Sequence, residues 1–428
     1  MGRRQLRALI IGGGPAGSSA ALALQHVGIE VLVFEAYPRS TVEVGSYLSV
    51  ATNGLAALRA VDAHHLVQAV GFSTPRNVLW NHTGRHLATV PYGARLSDGT
   101  TSLTVKRARL SRVLEDEALR RGVRIEFDKR LASAVETSDG RVIARFSDGT
   151  QAEGDLLIGA DGIRSVTRQC IDPEAPHPRY VGLTNFGGYT PDAGLSFDAE
   201  AWHFSSFDAE AWHMIFGRRA FFGFALDPSG GAVWFANVPR PEISAAERSA
   251  TTNDDWQRQL MAVFADDAGP AVDLIRRGRL ELAGDNTFDM PHIPRWHRGN
   301  MIVIGDAAHA PSPTSGQGAS MAMEDGLALA KCVRDTASVS DAFALYERLR
   351  RQRVERIVAV GARGSSAKAP GPIGRVLRDL SVPIFLRVFA NERAMRWIFD
   401  YQVELESSEA MSGSSGAAPM AHPSISTS

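Results

Sequence analysis

A glycine-rich turn near the start of the chain constrains the fold more than any other stretch. Residues 6–35 read LRALIIGGGPAGSSAALALQHVGIEVLVFE, in which two apolar runs flank a turn with Gly12, Gly14 and Gly17 and an alanine-rich helical segment. This order predicts a strand–helix–strand unit. The G-x-G-x-x-G spacing lets backbone amides approach a pyrophosphate, and an acid about 20 residues further on, here Glu35, can accept a hydrogen bond from a ribose hydroxyl. The sequence therefore predicts a dinucleotide site.

Length and composition limit the classes of protein that fit this turn. A chain of 428 residues exceeds one ordinary core, so we expect two or three domains. The net charge is −1 and no basic stripe stands out, so a nucleic-acid partner has no support. Cys170 and Cys332 have neither pairing nor metal spacing, which predicts a cytoplasmic protein without a metal site. No apolar run reaches the ~18 residues of a membrane helix, so we expect no membrane partner.

Two later motifs complete a pattern with the glycine turn. They are GADGIRS at 159–165 and GDAAHAPSPTSGQGASMAMEDG at 305–326. In this order and spacing, the three motifs resemble those of the class A, single-component FAD-dependent aromatic hydroxylases, which are flavoprotein monooxygenases of the para-hydroxybenzoate hydroxylase fold. The resemblance extends over nearly the whole chain up to about residue 360.

The resemblance implies an FAD site built from all three motifs. Glu35 matches the acid that binds the adenosine ribose, and Arg107 matches an arginine that supports the cofactor. Asp161 matches a motif near both FAD and incoming NAD(P)H, and it is also suited to cap the next helical turn. Asp306 matches the aspartate of the ribityl chain, and residues 313–319 match the loop along the flavin ring. The expected cofactor-binding residues are Gly12, Gly14, Pro15, Ala16, Gly17, Glu35, Ala36, Arg107, Asp161, Gly162, Gly305, Asp306, Pro313, Gly316, Gln317, Gly318 and Ala319.

The expected fold class is α/β, with a Rossmann-like FAD-binding domain, an interleaved sheet-containing substrate domain and C-terminal helices. The predicted boundaries are 1–73, 105–171 and 286–360 for the FAD-binding domain, 74–104 and 172–285 for the substrate-binding β-sheet domain, 361–405 for a C-terminal helical segment and 406–428 for a disordered tail. The octapeptide SFDAEAWH occurs at 196–203 and again at 206–213. We interpret it as a local duplication that lengthens a loop, with a functional repeat as the alternative.

Aromatic residues of the second domain are candidates for the substrate pocket. Alternate residues of a strand share a face, and an aromatic wall suits a flat, fused-ring or large apolar substrate. For each candidate an ordinary role in the core is an equal alternative. No catalytic residue can be assigned, and His309 is interpreted as shaping its turn, with acid/base chemistry as the alternative. The pocket candidates are Tyr47, Trp212, Met214, Phe216, Arg218, Phe222, Phe224 and Trp234.

The resemblance also implies the chemistry. NAD(P)H reduces FAD, dioxygen adds to the reduced flavin, and the flavin hydroperoxide hydroxylates or epoxidises an aromatic or polyketide-like small molecule of secondary metabolism. The chain is expected to act as a monomer or homodimer. Alternatives on the same fold are a Baeyer–Villiger oxygenase, a reductase, a halogenase and a non-catalytic flavin-binding protein. The halogenase has less support, because the chain contains no W-x-W-x-I-P segment.

Overall fold

The computed structural model describes residues 5–39, 46–193, 207–290, 292–312, 315–366, 379 and 392–405, with the backbone alone at 362–366 and 392. The predicted α/β class is confirmed: several sheets and surrounding helices make up the fold, and helices follow at the C-terminal end. The predicted disordered tail at 406–428 lies outside the described residues. Within those ranges, no helix is both long and apolar enough to cross a membrane.

The secondary structure begins with the predicted strand–helix–strand unit. The strands are β1 (Arg7–Ile11), β2 (Glu30–Phe34), β3 (Tyr47–Val50), β4 (Gly71–Ser73), β5 (Arg76–Asn81), β6 (His86–Pro91), β7 (Leu103–Lys106), β8 (Arg124–Glu126), β9 (Leu131–Glu136), β10 (Val142–Phe146), β11 (Gln151–Gly154), β12 (Leu156–Gly159), β13 (Arg179–Thr190), β14 (Ala211–Phe216), β15 (Phe221–Leu226), β16 (Ala232–Pro239), β17 (Arg279–Asp289), β18 (His297–Arg298) and β19 (Met301–Val303). The helices are α1 (Pro15–His26), α2 (Thr52–Arg59), α3 (His64–Val70), α4 (Arg107–Arg120), α5 (Val166–Ile171), α6 (Ala245–Ala250), α7 (Asn253–Phe264), α8 (Ala271–Arg277), α9 (Gly318–Asp335), α10 (Val339–Ser366) and α11 (Glu392–Phe399).

A six-stranded sheet carries all three motifs. Its strand order is β18-β19-β12-β1-β2-β8, and every pairing in it is parallel except that of β18 with β19. The central strand β1 is buried on both faces, as its continuous apolar run predicts. Because β1, β12 and β19 run parallel, the turns that follow them open at the same edge of the sheet. This places the three sequence motifs side by side.

A seven-stranded sheet, in the order β17-β13-β16-β15-β14-β5-β6, forms most of the second region. All its pairings are antiparallel except that of β14 with β5. One face packs against α7 and α8 around Trp256 and Phe264, which are almost completely buried. The other face turns towards the small sheet β3-β7-β4, where Tyr47 and Phe72 contact it.

Three of the predicted domain boundaries fall inside continuous elements. The boundary at 104/105 lies within β7, that at 285/286 within β17, and that at 360/361 within α10. A strand or helix that continues across a predicted boundary keeps one hydrophobic periodicity. The sequence therefore shows no change of pattern at that boundary.

Residues 207–213 of the second copy of the duplicated octapeptide are described, and Ala211, Trp212 and His213 begin β14, while Ser206 and the first copy lie outside the described residues. His213 of the second copy is completely buried and stacks on Phe224, with 4.9 Å between ring centroids. Its Nδ1 accepts a hydrogen bond from Trp80 Nε1 at 3.2 Å, so the proton resides on Nε2, which donates to the Asp208 carbonyl at 3.0 Å. Burial lowers the pKa of His213 to about 4.

This buried imidazole predicts a loss of stability in acid. Between pH 6.5, the ordinary pKa of histidine, and pH about 4, the unfolded chain binds a proton at His213 that the folded protein excludes. The free energy of unfolding therefore falls as the pH falls through this window, by at most ~1.4 kcal/mol per pH unit. Urea unfolding at several pH values should show a shallower pH dependence for His213→Phe than for the wild type. A control variant of the exposed His26, His26→Gln, should keep the wild-type slope, and equal slopes for all three proteins would contradict the prediction.

Candidate cofactor and substrate site

The three motifs contact one another at glycines, where the lack of a side chain allows a close approach. Gly12 has φ +102°, and a Cβ there would lie 2.5 Å from the carbonyl oxygen of Ala160. Gly305 has φ +56°, and its Cβ would lie 2.8 Å from the Cβ of Ala16. The glycine turn therefore touches both the 159–165 motif and the 305–326 motif.

The N-terminus of α1 has the properties of an anion site. Gly14 is the N-cap residue, no side chain caps the helix, and its first turn contains no acidic residue. A Cβ on Gly14 would meet nothing within 4 Å, so the free amides face open space. Pro15 occupies the first helical position, where its missing N–H costs nothing. Uncapped amides and the positive end of the helix dipole together suit a pyrophosphate.

Glu35, at the end of β2, stabilises the same turn. Its Oε2 accepts a hydrogen bond from the Gly13 amide at 2.7 Å, and its Oε1 accepts one from the Tyr37 amide at 3.0 Å. The side chain is partly exposed, as is Ala36 beside it. Because an ionised carboxylate offers about four acceptor sites, Glu35 retains the capacity to accept a bond from a ribose hydroxyl.

Ser165 is the N-cap residue of α5, and Asp161 supports this helix start from the turn that precedes it. Its two carboxylate oxygens accept hydrogen bonds from the Ser165 hydroxyl at 2.5 Å and the Thr167 amide at 3.0 Å. Gly162 next to it has φ +75°, and a Cβ there would meet nothing within 4 Å. The backbone at 161–162 is thus rigidly held but open on one side.

Arg168 was not predicted from the sequence, and it links two of the motifs. The side chain is 2% exposed. Its guanidinium donates to the carbonyls of Ile163 at 2.7 Å and Ala307 at 3.0 Å. Burial lowers the pKa of Arg168, and the nearby charge of Asp161 opposes that shift. No local pattern distinguishes this arginine from a surface arginine, because both partners are backbone carbonyls and one of them, that of Ala307, is far away in sequence.

Asp306 lies in a cleft at the centre of these turns. Its side chain is accessible to solvent, yet the protein surrounds it closely enough to raise the pKa of its carboxyl. The charges of Arg107 and His309 oppose that shift. The carboxylate lies near the start of α9, since a Cβ on Gly318 would be 3.9 Å from Asp306 Oδ1. An acceptor group is therefore directed into the cleft beside the positive end of a helix.

Hydrogen bonds from Tyr92 and Asn53 fix the position of the loop before α9. Gly316 has φ +62°, and its carbonyl accepts a hydrogen bond from the Tyr92 hydroxyl at 2.5 Å. Gln317 is buried, and its Oε1 accepts a hydrogen bond from Asn53 Nδ2 at 3.0 Å. The first turn of α9, which contains Ala319, has no capping side chain and no acid. Of the predicted loop residues, Pro313 lies outside the described residues.

Asp325 on α9 supports the Gly305 turn from inside the protein. Its Oδ2 accepts hydrogen bonds from the Gly305 amide at 2.9 Å and from His309 Nε2 at 2.6 Å, and its Oδ1 accepts one from Arg350 Nε at 2.8 Å. Burial alone would raise the pKa of Asp325, but the charges of His309 and Arg350 outweigh it and hold the pKa well below its usual value. The sequence signal for this residue is an acidic pair, Glu324 and Asp325, between two apolar stretches of one helix.

The aromatic pocket candidates are divided between the two faces of the seven-stranded sheet. Trp212, Met214 and Phe216 alternate along β14 on the face that contacts Tyr47. Met214, Phe216 and Tyr47 remain partly exposed there, together with Tyr189 and Phe235 from the same face. The structure thus places four of the candidates at one partly open aromatic surface, which we name the aromatic face: Tyr47, Phe72, Tyr189, Trp212, Met214, Phe216 and Phe235.

The remaining candidates do not share that face. Phe222, Phe224 and Trp234 are 0–2% exposed and pack in the core against α7 and α8. Alternation along β15 and β16 directs them to the opposite side, so they cannot contact a ligand on the aromatic face. Arg218 is exposed in the turn between β14 and β15, where its amide donates to Asp267 at 2.9 Å. The alternation of side chains along the strands was recognisable in the sequence. The sequence did not show which of the two alternating sets lies on the aromatic face and which lies in the core.

A buried ion pair borders the aromatic face. Lys106 Nζ lies 2.9 Å from Glu281 Oε1, and each side chain is 8% exposed. The Lys106 ammonium also lies 5.8 Å from the centre of the Tyr47 ring. Burial, with the charge of Glu281, raises the pKa of Tyr47 to about 12, so its hydroxyl stays protonated at neutral pH.

The residues present fit FAD. Two helix N-termini without caps or acids suit the pyrophosphate and the electron-rich edge of a flavin, and Gly14 and Gly162 leave open space where a side chain would stand. Asp306 offers an accessible carboxylate between them. These are the features that an extended dinucleotide with a polyhydroxyl chain requires.

Comparisons with known proteins agree with this geometry. The FAD binding domain family matches residues 5–360. A FAD-dependent urate hydroxylase of Klebsiella pneumoniae is 30% identical over 363 residues, which is 82% of this chain and 88% of that protein. An aurachin C monooxygenase/isomerase of Stigmatella aurantiaca is 29% identical, over 83% of this chain and 87% of that protein.

Solved structures give the same result. The crystal structure of Klebsiella pneumoniae HpxO complexed with FAD and uric acid superposes with a TM-score of 0.75 at 25% identity, covering 90% of this chain and 94% of that one. The chain therefore belongs to the FAD binding domain family and is an FAD-dependent monooxygenase of the hydroxylase type.

Proposed function

We propose that this enzyme uses NAD(P)H and dioxygen to hydroxylate or epoxidise a planar aromatic or fused-ring substrate held against the aromatic face. The observation that carries the proposal is the position of Ser46. Its carbonyl accepts a hydrogen bond from the Arg107 amide at 3.0 Å, and the charge of Arg107 acts on Asp306. On its other side, Ser46 Cβ is 3.6 Å from where a Cβ on Gly187 of the seven-stranded sheet would lie. The cofactor cleft and the sheet thus approach each other at Ser46.

The residues around the cleft are assigned to FAD on this basis. Gly12, Gly14 and the N-terminus of α1 hold the pyrophosphate, and Glu35 accepts a hydrogen bond from the adenosine ribose. Asp306 accepts hydrogen bonds from the ribityl chain, while residues 316–319 lie along the flavin ring. When bound, FAD would activate dioxygen, from which one oxygen atom goes to the substrate and the other leaves as water, with the electrons supplied by NAD(P)H. The protein orients the two partners and excludes water from the reacting centre.

The aromatic face is assigned to the substrate. Met214, Tyr189 and Phe235 present large apolar groups that remain partly exposed, and the protonated hydroxyl of Tyr47 is available as a hydrogen-bond donor. Lys106 and Glu281 give this surface a charged border. The relatives act on urate and aurachin C by their names, which supports a planar ring with polar substituents.

The nicotinamide donor is assigned to the open side of the 161–165 motif. Gly162 leaves this surface free, and Arg164 beside it is exposed and lies 5.6 Å from the Phe288 ring. A cationic group next to an aromatic ring suits a phosphate-bearing cofactor that docks transiently.

The proposed reaction is tested by following NADH and NADPH oxidation with a panel of phenols, quinolones, quinones and polyketides. The expected result is substrate-stimulated oxidation of one nicotinamide, with a product whose mass has gained one oxygen atom. Stimulated oxidation without an oxygenated product throughout the panel would contradict hydroxylation and favour the reductase alternative.

The role of Asp306 predicts a loss of FAD. Replacing it in Asp306→Ala removes charge-assisted acceptors, which should weaken FAD binding by about 10- to 100-fold. The measurement is titration of apo-protein with FAD, followed by the quenching of flavin fluorescence. A variant of an exposed aspartate on α7, Asp254→Ala, should bind FAD like the wild type. Unchanged affinity in Asp306→Ala would refute the placement of the ribityl chain.

If substrate binds on the aromatic face, a substitution there should change the KM for substrate and leave FAD affinity unchanged. Met214→Phe adds bulk where the substrate is expected and should raise KM about tenfold without changing FAD affinity. Phe224→Leu, on the opposite face of the same sheet, should lower the melting temperature and leave KM unchanged. Reversed effects would show that the substrate binds elsewhere.

A further inference from the structure

The C-terminal segment 392–405 packs directly behind the loop assigned to the flavin. This segment lies beyond the family match, which ends at residue 360. It comprises α11 and the residues that follow it, and Ile398, Phe399 and Leu405 are buried in the main core. A segment outside the family match thus contributes to the interior near the cofactor cleft.

One set of contacts from this segment leads to Gln317 through Arg353 on α10. The Arg353 guanidinium lies 4.0 Å from the centre of the Tyr401 ring and donates to the carbonyls of Trp397 and Ile398. It also donates to both carboxylate oxygens of Glu324, at 3.0 and 2.7 Å.

Glu324 connects Arg353 to the loop before α9 through Asn53. It is 1% exposed and accepts a hydrogen bond from Asn53 Nδ2 at 2.6 Å. The same nitrogen donates to Gln317 Oε1 at 3.0 Å. Because Gln317 is the N-cap residue of α9, its position sets where the uncapped amides of that helix point.

A second set of contacts leads to Gly316. The ring of Phe399 meets the Tyr92 ring edge-on, with 5.2 Å between centroids, and the Tyr92 hydroxyl donates to the Gly316 carbonyl at 2.5 Å. The Thr52 hydroxyl also reaches the Phe399 carbonyl at 3.5 Å. Two routes from one segment therefore end on adjacent residues of the same loop.

We propose that segment 392–405 positions the flavin loop, with Tyr401 and Arg353 as positioning residues for FAD binding. The inference rests on the proposed assignment of residues 316–319 to the flavin. Tyr401 holds the guanidinium of Arg353 in place, and Arg353 in turn orients Glu324, Asn53 and Gln317. A charged group packed on an aromatic ring and bonded to a buried carboxylate has one geometry, so the loop is held before FAD arrives.

The test compares three variants of the full-length chain as apo-proteins. Tyr401→Leu removes the ring and should weaken FAD binding about five- to tenfold in the fluorescence titration. Tyr401→Phe keeps the ring and should restore wild-type affinity. Trp397→Leu is the matched control, because it removes only a ring that lies 3.8 Å from Arg356 and keeps the backbone carbonyl that accepts a hydrogen bond from Arg353. It should bind FAD like the wild type.

The melting temperature of each apo-protein separates positioning from general stability. Tyr401→Leu should melt within about 2 °C of Trp397→Leu, so that only the FAD affinity distinguishes them. If Tyr401→Leu fails to fold, Arg353→Lys replaces it, since the three N–H donors of a lysine cannot replace the four hydrogen bonds that Arg353 makes to Glu324 and the two carbonyls. Wild-type FAD affinity in Tyr401→Leu or Arg353→Lys, or equal weakening in Trp397→Leu, would overturn the proposal.

Asp306→Ala distinguishes this proposal from the assignment on which it rests. If Asp306→Ala loses FAD while Tyr401→Leu retains it, the cofactor site stands and the positioning role is wrong. If neither variant affects FAD binding, the cofactor assignment itself fails.

Discussion

The close contact of three backbone turns is the constraint on which the site depends. Gly12 touches Ala160, and Gly305 touches Ala16, at distances that no side chain would allow. These contacts bring together turns that follow three parallel strands, and they leave the N-termini of α1 and α9 open to the same cleft. Backbone groups can bind a dinucleotide cofactor there. The only specific side chains that such a site requires are an acid for the ribose and an acid for the ribityl chain.

Buried charges maintain this arrangement. Asp325 and Glu324 lie side by side on α9 and are both bonded to Arg350, which is completely buried. An unpaired charge at this depth would cost several kcal/mol, so each acid requires its arginine. In return, the carboxylate of Asp325 fixes the Gly305 amide and His309, and that of Glu324 fixes Asn53. Charge pairs between α9 and α10 therefore determine the positions of backbone groups at the cleft.

The seven-stranded sheet separates the buried core from the proposed substrate surface by alternating its side chains. One face buries Phe222, Phe224 and Trp234 against helices, and the other keeps Met214, Tyr189 and Phe235 partly exposed. Because successive residues of a strand point to opposite sides, the same strands supply both the core and the aromatic face. Substitutions on the aromatic face therefore leave the core on the opposite face unchanged.

The family and the FAD cofactor were indicated by the resemblance of three separated motifs to a known family, whereas the residue pattern itself determined the strand–helix–strand unit and the α/β class. The unit and the class depend on local patterns, namely an apolar run, glycines at fixed spacing and an acid at a strand end, and each needs only neighbouring residues to be recognised. The hydrogen bonds of Asp161 to the following turn are likewise local, since its partners are Ser165 and Thr167, although Ser165 is the N-cap residue.

Only the tertiary structure decided which aromatic residues face the cleft and which distant polar groups support it. Contacts with partners far away along the chain hold Arg168, Asp325, Glu281 and the segment 392–405. One example is the Ala307 carbonyl, which accepts a hydrogen bond from Arg168. Even the alternation along β14–β16 left the facing side undetermined, because both faces of that sheet are apolar. Hydrogen bonds and packing between remote segments leave no periodic trace in the sequence, so the folded chain alone shows them.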